Sequence, residues 1–500
     1  MTKRSVLALD LGSTSGRGIV VRFDGTRLEL EEISRFPTGS YRRNGHSCVN
    51  FPELWKQLRQ SVDCAGASEK KLDSVGVDAW GLDMGMLDQN GQLIVDPFHY
   101  TDPMGMELQR KVYDVYPPEE LFLETGTQPQ CLKGLFSVVA VRDRYPALFD
   151  RCRSLLNLSD LFNYYLCGER RADRTVIGTS LMYSVPDGHW SRDVLNRFAL
   201  PPELLSPETN PGHVIGQILP GRTERGTGVK VVLTCGHDTA SAFLASGVTE
   251  EGPEIIISCG TRALIGTALP KANLSAAAFE KGFTNEIGFG GNVRFLRSCA
   301  GMSLFERLRR ELASKGLDVG YCTLLPLAEQ APAFVRLIDP EDISFWREER
   351  EEDIFQTINR ALEATGQPPA HSPGEFLRCV LESGACAWAE AADDLCTVLS
   401  LPFPGIRVVG GGGRNALAMQ ALADLTQLEV HTGPWECAAI GNAVTQLYAL
   451  GEVESKSDIQ QVLKSSGVGR CFDPHNTEAA EEAFQRYLNV VRCGHRSKVP

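Results

Sequence analysis

The strongest constraint on this chain's fold is a pattern that occurs twice: a short apolar run, a turn of small residues, and a second apolar run. Near the start it reads Val6-Leu7-Ala8-Leu9 with Asp10 at its end, a Gly/Ser turn, and then Gly18-Ile19-Val20-Val21-Arg22-Phe23. It returns as Glu254-Ile255-Ile256-Ile257-Ser258, then Cys259-Gly260-Thr261, then Ala263-Leu264-Ile265-Gly266. Short apolar runs bounded by glycines and hydroxyls read as buried strands. Identity between the two blocks is low, so the repeat is architectural. It predicts two similar α/β lobes with a cleft between them. A length of 500 residues agrees, because a single core stops growing at about 250–300 residues.

The segments around these blocks fit the same plan. Asp24-Gly25 is a hairpin turn signal leading to a third strand, Arg27 to Phe36. Residues 52–65 carry Leu54, Trp55, Leu58 and Val62 at helical spacing, and Val75-Gly76-Val77-Asp78 returns to strand. Residues 105–225 are richer in helical pattern and in Pro/Gly loops, and Lys230-Val231-Val232-Leu233 opens the next strand-rich block. The clearest helix is 375–399, apolar along one face and read as core. Ile406 to Val409 is a strand, and 415–427 and 438–450 are helices. The charged stretch Asp339 to Asp353 reads as a solvated surface excursion, and the tail keeps helical pattern to Val491 before it frays. The expected lobes are 1–246 and 247–455, with a helical tail at 456–500.

Composition excludes some classes. A formal net charge of −13 argues against nucleic acid as a partner, but not against local phosphate sites built from backbone amides. The first apolar run breaks at Asp10, too early for a signal peptide, and no run is long enough to span a bilayer, so no membrane is expected and a cytoplasmic location is. The 15 cysteines show no CxxC pair or zinc spacing and read as reduced, mostly buried thiols.

Five motifs carry chemistry. In Asp10-Leu11-Gly12-Ser13-Thr14-Ser15-Gly16-Arg17 a strand delivers an aspartate to a turn where amides and hydroxyls can approach a phosphate; a plain hairpin turn is the alternative. Asp10 would sit near a magnesium ion on that phosphate. Ser258-Cys259-Gly260-Thr261 is a second such turn, and two facing turns can clamp one triphosphate. Gly410 to Gly413 lie after a strand and before a helix, which permits close approach of a flat ligand and exposes helix N-terminal amides. They match neither GxGxxG nor the P-loop pattern. In Gly236-His237-Asp238-Thr239, Asp238 stands at a helix start; alone it reads as an N-cap, and the phosphate turns make it a base. Asp78, Trp80 and Gly81 in Val77-Asp78-Ala79-Trp80-Gly81-Leu82-Asp83 suit sugar recognition, although Trp80 also fits a buried ring packed on the sheet.

These elements, in this order, resemble the FGGY carbohydrate kinases of the actin, hexokinase and heat-shock ATPase superfamily, and among them the rhamnulokinases. The resemblance runs from Val6 to Leu450 and rests on His237-Asp238-Thr239-Ala240-Ser241-Ala242, Thr284-Asn285-Glu286, Gly433-Pro434 and Gly441-Asn442-Ala443 beside the motifs above. It implies two ribonuclease-H-like lobes with an interlobe catalytic cleft, ATP with Mg2+, and Asp238 as catalytic base. ATP contacts would fall on Ser13, Thr14, Ser15, Gly16, Arg17, Thr261, Gly411 and Gly412. Sugar contacts would fall on Gly81, His237, Asp238 and Thr239. The implied reaction is phosphorylation of a ketose at a terminal hydroxyl, L-rhamnulose to L-rhamnulose 1-phosphate first, with L-fuculose, L-xylulose or a polyol as alternatives. A silent sugar-responsive regulator is a third reading, and monomer and homodimer both fit the family. Several departures fall on the sugar side. Tyr100-Thr101-Asp102 stands where Tyr-Arg-Asp is usual, and Arg262 replaces a Trp. Ser298 stands where a sugar-contacting Asn is usual, and Glu306 where a Gln contacts ATP.

Overall fold

The computed structural model describes residues 4–248, 252–345, 353–466 and 469–492. By its internal contacts the chain divides into two compact units, both discontinuous in sequence. The first comprises Met1–Gly252, Ala268–Leu296 and Glu436–Gly467; the second comprises Pro253–Thr267, Arg297–Trp435 and Val468–Pro500. Segments 268–296 and 436–467, which follow residue 246 in the chain, thus pack with the first unit.

The first unit is built on a six-stranded sheet in the order His213–Gln217, Lys230–Leu233, Ser74–Ala79, Arg4–Leu11, Ser15–Phe23, Leu28–Pro37. Arg4–Leu11 pairs antiparallel with Ser15–Phe23 and parallel with Ser74–Ala79, which pairs parallel with Lys230–Leu233. Helices Phe51–Ser68 and Leu158–Cys167 cover this sheet, with Leu54, Leu58 and Val62 from one and Leu161, Phe162 and Leu166 from the other in a single core. Asn50 caps the first of these helices through its side chain, and Pro52 fits the first turn, where no amide partner is needed.

Helix Cys437–Ala449 also packs on this sheet, with a polar face turned inward. Gln446 donates to the Leu7 carbonyl at 2.9 Å and accepts from Ser74 Oγ at 2.7 Å, and Asn442 donates to the Gly76 carbonyl at 3.1 Å. Gly441 is needed for close approach, since a Cβ there would lie 1.9 Å from the Ser241 carbonyl oxygen of helix Asp238–Ala245. This gives the Gly441-Asn442-Ala443 string a packing reason.

The second unit repeats the arrangement. Ile255–Cys259 pairs antiparallel with Arg262–Leu269 and parallel with Gly405–Val409, which pairs parallel with Glu429–Thr432. The short strand Cys471–Phe472 closes the edge antiparallel to Glu429–Thr432. Each unit therefore contains an antiparallel hairpin whose first strand is joined by two further parallel strands, the repeat that the two apolar blocks announce. Helix Pro373–Leu399 begins in a capping box of Ser372 and Glu375, and its Trp388 donates to the Ala300 carbonyl at 2.7 Å.

Two expectations need correcting. The described part of the charged stretch is solvated only in part: Ile343 is 64% exposed, but Asp339 and Phe345 are each 3% exposed, and Asp339 pairs with Arg492 at 2.8 Å. Residues 346–352 and the end of the tail, 493–500, lie outside the described residues. The first phosphate turn is also shorter than expected, because the strand resumes at Ser15 and leaves Gly12 to Thr14 as the turn. No described helix is long and apolar enough to cross a membrane, and the described cysteines are free thiols, most of them buried.

Replacing Gly441 by alanine is expected to lower unfolding stability by about 1–3 kcal/mol through overpacking. A denaturant midpoint equal to that of the natural chain would contradict the close helix contact.

Candidate active site

The first unit gathers three aspartates where its strands end. Asp10 and Asp78 are partners across the parallel strands Arg4–Leu11 and Ser74–Ala79. Asp78 is fully buried, with Asn442 Nδ2 donating to its Oδ2 at 2.6 Å and its Oδ1 buried without a protein partner. Burial, and then the neighbouring charge of Asp10, push the Asp78 carboxyl well above its ordinary value. Asp78 is therefore a buried neighbour of Asp10 that holds a proton more tightly than an ordinary carboxyl. Burial also raises Asp10 to about 6, while Arg17 opposes that rise and the charge of Asp238 adds to it. Arg17 itself is paired with Glu436.

Asp238 opens helix Asp238–Ala245, with His237 in the cap position, so it is not the N-cap. Its Oδ1 accepts from the Thr239 amide at 2.6 Å and from Thr239 Oγ1 at 3.1 Å. The side chain is 26% exposed, and burial of its carboxyl raises its pKa despite the opposing His237 and Thr239. The motif before it is pinned at each residue. The Gly236 carbonyl accepts from the Ala79 amide at 2.9 Å, and the Gly236 amide donates to Asp173 Oδ2 at 2.8 Å. The His237 ring lies over Gly81, where a Cβ would sit 2.9 Å from its Cδ2, and Thr179 Oγ1 donates to the Gly81 carbonyl at 2.5 Å.

Other expected residues of this unit have more structural surroundings. Trp80 is 5% exposed and its indole N–H donates to Asp83 Oδ2 at 2.7 Å, which is the buried-ring alternative. Gly16 is buried where a Cβ would meet the Phe36 ring at 2.3 Å, so sheet packing alone demands glycine there. Ser13 and Thr14 lie in the turn, where Thr38 Oγ1 donates to the Gly12 carbonyl at 2.6 Å and the Thr38 amide to the Thr14 carbonyl at 3.4 Å. Thr101, at the position of the family's arginine, hydrogen-bonds His99 Nδ1 at 2.7 Å.

Thr261, Glu306, Gly411, Gly412 and Ser298 belong to the second unit. The turn holding Thr261 is fixed by the Met302 amide on the Gly260 carbonyl at 2.9 Å and the Ser303 amide on the Thr261 carbonyl at 3.3 Å. Gly412 packs on that turn, since a Cβ there would lie 2.2 Å from Cys259 Sγ, while Gly411 faces open space. The glycines form a 3-10 turn, Gly411–Arg414, rather than the first turn of a helix. Asn415 then caps helix Ala416–Thr426, so the helix amide that glycines were expected to expose is satisfied by a side chain. Arg262, at the sequence position of the usual tryptophan, reaches Ser298 Oγ at 3.1 Å and Glu341 at 3.2 Å. Glu306 accepts from Tyr321 at 2.9 Å and Arg309 at 2.8 Å.

Sequence reasoning missed a buried charged group beside His237. Glu286 and Arg294 pair at 3.0 Å, and Lys133 lies 3.9 Å from Glu286. Burial tends to raise the Glu286 carboxyl, but Arg294 and His237 hold it far below the usual range; burial lowers the Lys133 ammonium. The available signal was a lone arginine in the apolar run Val293-Arg294-Phe295-Leu296.

Comparison with known proteins shows the family and the fold. Profiles of the FGGY family of carbohydrate kinases match residues 5–245 for its N-terminal domain and 255–450 for its C-terminal domain. A rhamnulokinase of Halalkalibacterium halodurans is 30% identical, covering 92% of this chain and 96% of that protein. One of Bacteroides thetaiotaomicron is 28% identical over 98% of this chain and all of that one. Among solved structures, xylulose kinase from Rhodospirillum rubrum superposes with a TM-score of 0.79 at 19% identity, covering 99% of this chain and 100% of that one. Plasmodium falciparum glycerol kinase with ADP gives 0.79 at 14% identity, covering 99% of each chain. The fold is thus the two-domain actin- and hexokinase-like one.

The raised Asp10 makes a stability prediction. An acid whose pKa rises from 3.8 to about 6 on folding contributes stability below the lower value that is lost as pH rises through the higher one. Asp10→Asn should therefore be more stable than the natural chain at pH 8, by about 1–3 kcal/mol, with the gap closing towards pH 3–4. Thermal melts across that range would read it, and a gap that widens in acid would refute it.

Proposed function

The chain belongs to the FGGY family of carbohydrate kinases and is an ATP-dependent sugar kinase, and on that premise we propose that it converts L-rhamnulose to L-rhamnulose 1-phosphate. Support for the sugar comes from the curated relatives, named rhamnulokinases and matched over nearly their full length. The single observation carrying the chemistry is Asp238, a partly exposed carboxylate at a helix start whose Oδ1 is held by Thr239. Oδ2 is then the oxygen left for the proton of the acceptor hydroxyl.

In this reading Asp238 removes that proton as the sugar oxygen attacks the γ-phosphorus of ATP, and ADP leaves. His237 and Gly81 border the acceptor, and Thr239 keeps the base in place. Asp78 and Trp80 shape the site from beneath, Asp78 through Asp10 and Trp80 through Asp83. In the first unit, Ser13, Thr14 and Ser15 offer amides and hydroxyls to the phosphates, with Gly16 keeping that strand close to its neighbour. Arg17 would balance phosphate charge. In the second unit, Thr261 would take a phosphate and Gly411 the flat face of the nucleotide, with Gly412 anchoring the glycine turn. Glu306 and Ser298 are the positions whose altered chemistry bears on nucleotide and sugar preference.

The donor set fits Mg2+: Asp10 is a hard oxygen ligand beside the orphaned Oδ1 of Asp78, in a cluster of acids that repel one another. Bound at Asp10, the ion would supply charge stabilisation for the transferred phosphoryl group.

Asp238→Asn should retain nucleotide binding and lose about 10²–10⁴-fold in turnover. Near-natural turnover would remove Asp238 from the role. The rising acid limb of kcat/KM should also lie above the ordinary carboxylate range, because the base must be deprotonated and burial raises its pKa. A limb at or below that range would contradict it. For the sugar, ADP release with L-rhamnulose, L-fuculose and L-xylulose side by side should give the highest kcat/KM with the first. Release with a different sugar alone would move the assignment to that sugar, a shift for which Thr101, Arg262 and Ser298 would be the first residues to revert.

A further inference from the structure

His237 can serve an acceptor hydroxyl in two ways, as a proton acceptor or as a donor, and the group behind its ring decides between them. Glu286 and Arg294 stand opposite each other across the antiparallel strands Thr284–Ile287 and Val293–Ala300. Their side chains are 6% and 2% exposed, and Arg294 Nη2 lies 3.0 Å from Glu286 Oε2. Arg294 is held at several points: Nε donates to the Ile287 carbonyl at 3.2 Å, and Nη2 lies 3.5 Å from the Thr175 carbonyl. The same Nη2 lies 3.2 Å from His237 Nδ1, and Glu286 Oε2 lies 3.4 Å from it. On the other side of the ring, Nε2 is 3.6 Å from Asp238 Oδ1. The charged groups facing His237 are thus Glu286 and Arg294 behind it and Asp238 in front, with Lys133 adjoining Glu286.

A guanidinium carries donors only. Where Arg294 donates to Nδ1, that nitrogen presents its lone pair, and the neutral ring carries its proton on Nε2. A buried ion pair is often no more stabilising than apolar residues of the same volume, so stability gives no reason for one to sit against this particular nitrogen. We propose that Glu286 and Arg294 are positioning residues that hold His237 as an Nε2–H donor towards the acceptor hydroxyl, which leaves proton removal to Asp238. Glu286 keeps the Arg294 guanidinium aimed; Arg294 sets the tautomer. The inference rests on the assignment of His237 and Asp238 to the acceptor site.

The test is nitrogen NMR of the full-length ¹⁵N-labelled protein, with the His237 signals assigned by their loss in His237→Gln. The natural chain should show an unprotonated Nδ1 and a protonated Nε2 in the neutral ring. A proton on Nδ1 overturns the proposal without any variant. The paired change Arg294→Met with Glu286→Gln removes the donor together with its carboxylate partner, and Lys133→Met is added to it so that the neighbouring ammonium is not stranded. It should mix the tautomers and lower kcat/KM for the sugar by about 10–100-fold, the usual effect of losing a histidine's outer partner. KM for ATP should hold. Arg294→Lys, which keeps a donor, should restore the Nε2–H form and part of the turnover. A folded triple variant with unchanged tautomer and unchanged kcat/KM also overturns the proposal. Full turnover in Asp238→Asn would instead sink the acceptor-site assignment beneath it, so the two failures are separable.

Discussion

The repulsion among three carboxylates in a dry setting is the constraint to which most of the first unit answers. Asp10 and Asp78 are neighbours by strand register, and the charge of Asp238 acts on both. Taking one carboxylate out of water costs several kcal/mol after relaxation, and like charges add to that. Relief comes from specific partners: Asn442 on Asp78, Arg17 near Asp10, and Thr239 on Asp238. What these partners leave unrelieved raises the Asp78 carboxyl well above its ordinary value. A site so arranged is poor for holding three anions and suited to receiving a cation with its phosphate, which is the load the proposed reaction brings.

Those partners need a scaffold that brings them close. Helix Cys437–Ala449 lies on the sheet with Asn442 and Gln446 facing strand carbonyls. It also touches helix Asp238–Ala245 through Gly441, without room for a methyl group. Asp238 and Asn442, which supports Asp78, are thus tied through one tight helix pair. Rigid elements of this kind place side chains more accurately than loops.

Much of this was legible in the sequence, for reasons of period and punctuation. The two apolar blocks became the two hairpins, and the pattern over 375–399 became helix Pro373–Leu399. The junction at His237-Asp238-Thr239 was legible as the start of a small-residue helix, although the structure puts His237 rather than Asp238 in the cap position. Glu286 and Arg294 were not legible as a pair. Each is a single charge in an apolar strand, and only the hairpin register sets them face to face. Trp80 shows the opposite limit, because an aromatic beside a glycine reads the same from sequence whether it faces a sugar or packs in the core. Asp339 was misread because charge density marks a surface only on average, and Arg492, far along the chain, supplies the partner that lets it be buried.

The discontinuity of the first unit has a consequence for biosynthesis. Its sheet is complete once Lys230–Leu233 has emerged, yet Asn442, Gln446 and Gly441 are not made until nearly the whole chain has been translated. Until then Asp78 has no amide donor from that helix, and the sheet face that Cys437–Ala449 covers is bare. A ribosome-bound chain stopped near residue 250 would carry Asp10, Asp78 and Asp238 and none of the helix that makes their closeness tolerable. Folding of the first unit is therefore finished from the C-terminal side, after the core of the second has been synthesised.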